Sequence, residues 1–241
     1  MAIARYLAMT AGEMQQHPAR LCAWMACHFS PYGTGLSNLP AQLPPGALLI
    51  LNDRTPICGH DPTLISAQLR ERVLHLGCRG ILLDFQRPGN GQTLELCQTL
   101  CRTLPCPVAV AEAYAEDAPI VFASPVPPDT PPEAALARWQ GREIWLELAL
   151  DGMEITLTEA GARTGPLPPW EHPTGGFREE TLHCHYRAAL TEDQAVFTLW
   201  RTPADADALL EAAQPLGVTL GVGLYQQFRA AQSPLPVGEG D

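Results

Sequence analysis

The runs Ala47–Asn52, Gly80–Phe85, Pro107–Glu112 and Ile120–Ser124 stay apolar almost without interruption instead of alternating with polar residues. A strand with one wet face alternates, whereas a strand covered on both faces does not, so these runs predict a parallel sheet sandwiched by helices. Four more candidates follow the same spacing: Leu21–Phe29, Glu143–Leu150, Ala195–Trp200 and Val218–Leu224. Between them stand helix starts with a capping side chain just before a proline: Asp61-Pro62, Thr130-Pro131 with Glu133, and Thr202-Pro203 with Asp205. There the missing proline N–H costs nothing. Ile65, Leu69, Val73 and Leu76 then line one face of the first helix, and Ala206, Leu209, Leu210 and Ala213 one face of the last.

Strands alternating with helices imply right-handed crossovers, and eight such strands imply closure into a TIM-barrel-like (β/α)8 fold of the α/β class. Residues 1–229 are expected to form one domain, since 241 residues with 46% hydrophobic content suit a single barrel. The regularity fails twice. Ala113–Ala118 is too short for a crossover helix, so either the helix is missing or its flanking strands are not parallel neighbours. The second half also carries an antiparallel hairpin insert over about residues 151–190. There Glu143–Leu150 and Met153–Thr158 are expected to turn at Asp151-Gly152, Thr164–Gly176 to be a loop, and Thr181–Arg187 to add a strand. The tail 230–241 is expected to be disordered.

Charge narrows the possible partners. The chain has 26 acidic residues against 15 basic ones, all arginine, for a net charge of −11. A phosphate-tracking nucleic-acid binder needs the reverse balance, and without lysine there is no Schiff-base amine or Walker-type loop. No transmembrane helix or secretory leader is predicted, so no membrane partner and a cytoplasmic location are expected, with the eight cysteines reduced.

In a parallel barrel, polar residues at the C-terminal strand ends become neighbours and form the binding site. That rim gathers His28, Asn52, Asp53, Arg54, Asp84, Gln86, Arg87, Glu112, Tyr114, Ser124, Glu147, Arg201, Tyr225 and Gln227. Asp84 and Gln86, two apart on one strand, share a face, and Gln86 is an amide that cannot exchange a catalytic proton. Arg79 to Gln86 resembles the strand signature D-G-x-D-x-D-x-E of family 18 glycoside hydrolases. Gly80 and Asp84 match, while Arg79, Leu82 and Gln86 stand where the signature has Asp, Asp and the catalytic Glu. The resemblance implies a barrel whose mouth binds a sugar, with hydrolysis put in doubt by Gln86.

Catalysis would then need another carboxylate pair. Asp84 with Glu112 is the candidate, because adjacent strand ends lie about 5 Å apart and a retaining pair needs about 5–5.5 Å. Glu112 would be the acid and Asp84 the nucleophile or stabiliser. Gln86, Asp53, Arg54, Arg87, His28, Tyr114, Trp170 and Tyr225 are the candidate substrate-binding residues. Arg54 and Arg87 either clamp an anionic substituent or neutralise Asp53, Asp84 and Glu112, and the aromatics would stack on sugar faces. No cofactor and no metal is called for by this reading, whose partner is a small-molecule or glycan ligand. Two alternatives use other features. A metal-dependent hydrolase would draw on His183 and His185 with rim carboxylates, and a non-enzymatic protein-interaction scaffold would show an apolar patch and no enclosed pocket.

Overall fold

The computed structural model describes residues 3–17, 21–32, 35–56, 59, 61–88 and 91–231; the expected disorder of the tail falls almost wholly outside them. Strands β1 (Ala4–Met9), β2 (Cys22–Phe29), β4 (Leu48–Asn52), β5 (Gly80–Asp84), β6 (Val108–Ala111), β7 (Ile120–Ala123), β8 (Glu143–Leu148) and β14 (Val218–Leu224) pair in that order, all parallel, and β14 closes on β1. The short β3 (Leu36–Ser37) returns antiparallel on β2. Eight parallel strands thus form a barrel, although they are not the eight predicted from sequence. Ala4–Met9 was not anticipated, and Ala195–Trp200 lies in a different sheet.

Strand parity divides the core. Tyr6, Ala8, Leu48, Ile50, Leu82, Ile120, Phe122, Trp145, Leu220 and Val222 fill the barrel interior. The alternate residues Leu49, Leu51, Ile81, Leu83, Val108 and Val110 face outward with α2 (Pro62–Leu76) and α3 (Gly91–Thr103). On β5 this leaves Gly80, Leu82 and Asp84 inside. A Cβ at Gly80 would stand 2.7 Å from the Trp145 ring, so the glycine lets the indole cross the barrel floor and seal it.

The crossovers are uneven. Asp61 caps α2 by accepting from the Thr63 N–H, and Gly77 ends that helix in the left-handed region at φ 62°. β1 reaches β2 through the short α1 (Ala11–Gln16), and β6 reaches β7 through a 3-10 turn at Glu112–Tyr114. Those two strands are parallel neighbours with no α-helix between them, which resolves the Ala113–Ala118 ambiguity. Between β7 and β8, α4 (Pro132–Ala135) begins after Pro131 with no side-chain cap. Thr130 instead donates to Asp129, so the expected cap there does not form.

After β8 the chain leaves the barrel for a five-stranded antiparallel sheet, ordered β10 (Gly161–Leu167), β9 (Gly152–Thr158), β13 (Gln194–Trp200), β12 (Cys184–Leu190) and β11 (Phe177–Glu179). The insert is longer than predicted, and its first turn is not at Asp151-Gly152. β9 pairs with β10 and β13 and not with β8, so the hairpin turns at Glu159-Ala160. Part of the expected loop is strand β10, whose Pro166 is tolerated because the strand lies at the sheet edge. Buried Arg201 fastens the insert to the barrel, donating to the carbonyls of Val126, Pro127, Leu182 and His183. Helix α5 (Pro203–Ala213) follows, with the predicted Thr202–Asp205 capping box, and α6 (Tyr225–Ala230) succeeds β14.

Candidate functional site

Above the Trp145 floor, the inward residues of the strand ends enclose a cavity of 410 Å³. Met25, Ile50, Leu82, Phe122 and Val222 wall it, and Asn52, Asp53, Arg54, Asp84, Gln86 and Glu147 supply its polar groups. Asp84 sits one inward step above Leu82 on β5, and Glu147 one inward step above Trp145 on β8, so parity alone aims both into the mouth. The Gln86 amide donates to Asp84 Oδ1 at 2.5 Å. Beside Asp84, its register partner on β4, Asn52, donates through Nδ2 to the Met25 carbonyl where β2 shifts register, fixing the cavity wall.

Both inward carboxyls are pushed up. For Asp84 burial is the main cause, joined by the nearby Asp53 charge and opposed by the Gln86 amide. Glu147 rises to about 7, first through burial and then through the charges of Asp84, Asp151 and Glu112. Among the described residues no group donates a hydrogen bond to its carboxylate. Glu112 moves the opposite way. Burial works to raise it, but the Trp139 indole N–H at 2.9 Å, the Ser124 hydroxyl at 2.9 Å and the Arg138 guanidinium together hold it below the ordinary carboxyl range.

The residues expected to bind substrate divide accordingly. Asp84, Gln86, Asp53 and Arg54 line the cavity. Asp53, 5% exposed, spends its carboxylate on the backbone N–H groups of Gln86 and Arg87 and so holds the end of β5 in place. Arg87 directs its guanidinium to the carbonyls of Asp53 and Arg54 and, among the described residues, forms no ion pair with a carboxylate. Tyr114 is buried outside the barrel wall, edge-on to Phe85, with its hydroxyl donating to the Arg87 carbonyl. His28 lies between the Phe29 carbonyl and the Asn38 amide and does not line the cavity. Tyr225 stacks on His17 at 5.6 Å and packs beside Met9. Trp170 is 56% exposed in a turn adjoining α6.

Glu112 does not line the main cavity. It lies beyond the end of β6, begins the 3-10 turn, and lines a smaller recess of 170 Å³ that it shares with Gln86, Ser124 and Glu147. A depressed carboxyl with three donors is poorly suited to give up a proton. Glu147 lies on the predicted rim but was given no role. Its sequence signal is the alternation Trp145-Leu146-Glu147-Leu148, which puts Glu147 on the face of the floor-sealing tryptophan.

The histidine pair does not form a metal face. His183 precedes β12 with a positive φ of 49°, while His185 Nδ1 pairs with buried Asp205 at 2.8 Å and its ring stacks on Trp200. Among the described residues no three His, Cys, Asp or Glu side chains are grouped to hold an ion, and no helix is long and apolar enough to cross a membrane.

No family model matches the chain, and no curated protein matches it in sequence. Solved structures do. A chitinase from Chromobacterium violaceum superposes with a TM-score of 0.58 at 11% identity, covering 96% of this chain and 98% of its own. The Bacillus cereus spore cortex-lytic enzyme SleL gives 0.57 at 10% identity, over 95% of this chain and 73% of its own. A variant of the Cycas revoluta GH18 chitinase in complex with (GlcNAc)4 gives 0.57 at 11% identity, over 95% and 97%. Identities this low establish architecture and leave activity open. The chain has the barrel fold of the GH18 chitinases and spore cortex-lytic enzymes, with Asp84 and Gln86 at the mouth of that barrel.

Proposed function

We propose that this glycoside hydrolase-like barrel binds a glycan containing N-acetylhexosamine in its mouth without cleaving it. The observation that carries the reading is the Gln86 amide bonded to Asp84 at the end of β5, inside a walled cavity. An amide there orients the carboxylate toward a ligand but supplies no proton to a leaving group. The cavity volume suits a sugar unit. Apolar Phe122, Met25 and Ile50 complement C–H faces, while Asp84 and Asn52 offer hydrogen bonds to hydroxyl or amide groups. Fold neighbours that hold (GlcNAc)3 and (GlcNAc)4 make those oligomers the first ligands to try. A concave mouth of this volume with a few polar groups at its end favours this reading over a flat protein-docking scaffold.

Calorimetric titration with (GlcNAc)4, followed by chromatography of the same mixture, tests both halves. Saturable binding with the oligomer recovered intact is expected. Asp84→Ala is expected to weaken binding by about tenfold or more, the loss of a hydrogen bond to a charged group, with little change in melting temperature. Shortened oligomers in the wild-type mixture would overturn the non-hydrolytic half, and no binding at all would overturn the ligand class.

A further inference from the structure

Among the described residues, Glu147 is the mouth carboxylate that has no hydrogen-bond donor. It faces the cavity from β8, and no described residue donates to it. The other acidic groups around it are already occupied: Asp84 by the Gln86 amide, Asp53 by two backbone N–H groups, Glu112 by Trp139, Ser124 and Arg138, and Asp151 by Gln227 Nε2 at 2.6 Å. The remaining walls add no charge except Arg54. β1 contributes Ala8, β2 Met25, β7 Phe122 and β14 Val222, Gly223 and Leu224. A ligand entering this cavity would strip water from Glu147 while leaving it beside Asp84 and Asp151, and the ionised form has least support there.

We propose that Glu147 holds the bound ligand as a neutral carboxylic acid, donating its O–H to a sugar oxygen, so that binding takes up one proton and the site selects uncharged sugars over uronates. This rests on the glycan-binding reading above and adds to it the charge state and chemical class of the ligand. Burial and the charges of Asp84, Asp151 and Glu112 already push this carboxyl up to about 7 without ligand, so near neutral pH the ligand draws the protonated form. The sign follows. Affinity is flat while Glu147 is protonated in both states and falls as pH rises above about 7, because the free protein then loses the proton that the complex keeps. A uronate carboxylate would instead meet Asp84 and Glu147 as like charges.

The test is (GlcNAc)4 affinity from pH 5 to 9, for the wild type and Glu147→Gln, with hyaluronan tetrasaccharide as the uronate-bearing comparison. Wild-type affinity is expected to be level to about pH 7 and then to fall by up to about tenfold per pH unit, the limit for one linked proton. Glu147→Gln keeps a donor without titrating and should bind with a flat profile, close to the wild type at pH 5. The hyaluronan oligomer should bind at least about tenfold more weakly than (GlcNAc)4, as like charges in a confined site require. Pronounced pH dependence surviving in Glu147→Gln, or a wild-type profile that stays flat to pH 9, overturns the inference and leaves the glycan reading standing. Equal or tighter binding of the hyaluronan oligomer overturns the selectivity. Failure of (GlcNAc)4 to bind at any pH removes the reading beneath it and the inference with it.

Discussion

The rim at the end of β6 and the mouth at the end of β8 each carry a glutamate, and the fold treats them in opposite ways. Glu112 is surrounded by three donors and held ionised. Glu147, given no donor among the described residues and set near Asp84 and Asp151, is driven toward the neutral acid. Residue type is the same, and neither side chain is fully exposed. What separates them is the supply of donors: the 3-10 turn after β6 sets Glu112 against Trp139, Ser124 and Arg138, whereas Glu147, in the inward set that begins with Trp145, meets no donor among the described residues. A carboxylate so paired acts as structural cement, and an unpaired one facing the cavity is available to a ligand.

Glu112→Ala should break the comparison most visibly. Removing the carboxylate strands the half-buried Trp139 indole N–H, while the exposed Arg138 guanidinium and Ser124 hydroxyl turn to water, so a loss of about 2.5 kcal/mol is expected at pH 7. Urea denaturation measures it. Binding of (GlcNAc)4 should stay within about twofold of wild type, because the residue lies outside the main cavity and its loss removes no direct contact. A stable variant that no longer binds would return Glu112 to the site.

Glu147→Gln should move stability the other way. A carboxyl whose folded value is about 7 against an ordinary 4.5 contributes most when protonated, and that contribution is lost as pH climbs through the folded value. The amide never ionises. The variant should therefore match wild type near pH 4 and gain on it through the window between those values. Above pH 7 the advantage should level off at about 2 kcal/mol, reduced from the full linkage figure because the group keeps some contact with solvent. Equal stabilities at pH 8 would mean that Glu147 is better solvated than its surroundings indicate.

The same contrast explains what could be read from the chain beforehand. Burial on both faces writes itself into composition, so the runs around Leu48, Ile81, Val108 and Val121 announce parallel strands, and the caps Asp61 and Thr202 announce helices by local chemistry alone. Asp84 was legible for a related reason, since it ends a long apolar run two residues from Gln86. β1 was not, because Arg5 and the small Ala4 and Ala8 dilute its pattern. Ala195–Trp200 has strand chemistry whichever sheet it joins, and nothing local says that its partners are β9 and β12. The surroundings of Glu112 were not legible, because proximity to a strand end says nothing of which donors meet the carboxylate. Its donors come from residues 12 to 27 positions away, Ser124 and Trp139 among them, which no local pattern displays.

The smallest effect sharpens the Glu112 half of the comparison. Ser124→Ala removes one of its three donors, and because that serine is exposed, water replaces much of what is lost; about 0.5 kcal/mol is expected at pH 7. The pH dependence carries the information. A carboxyl held below its ordinary value adds stability above the ordinary 4.5, and that stability drains away as pH falls through the folded value. With one donor gone, the folded value should rise toward the ordinary one. The difference between Ser124→Ala and wild type should therefore be constant from pH 6 to 8 and shrink in acid as Glu112 takes up its proton. Paired urea titrations at pH 7 and pH 3 measure this. A difference that persists unchanged at pH 3 would locate the serine's contribution in packing against Phe122 or the backbone, and would leave Trp139 and Arg138 as the groups that keep Glu112 ionised.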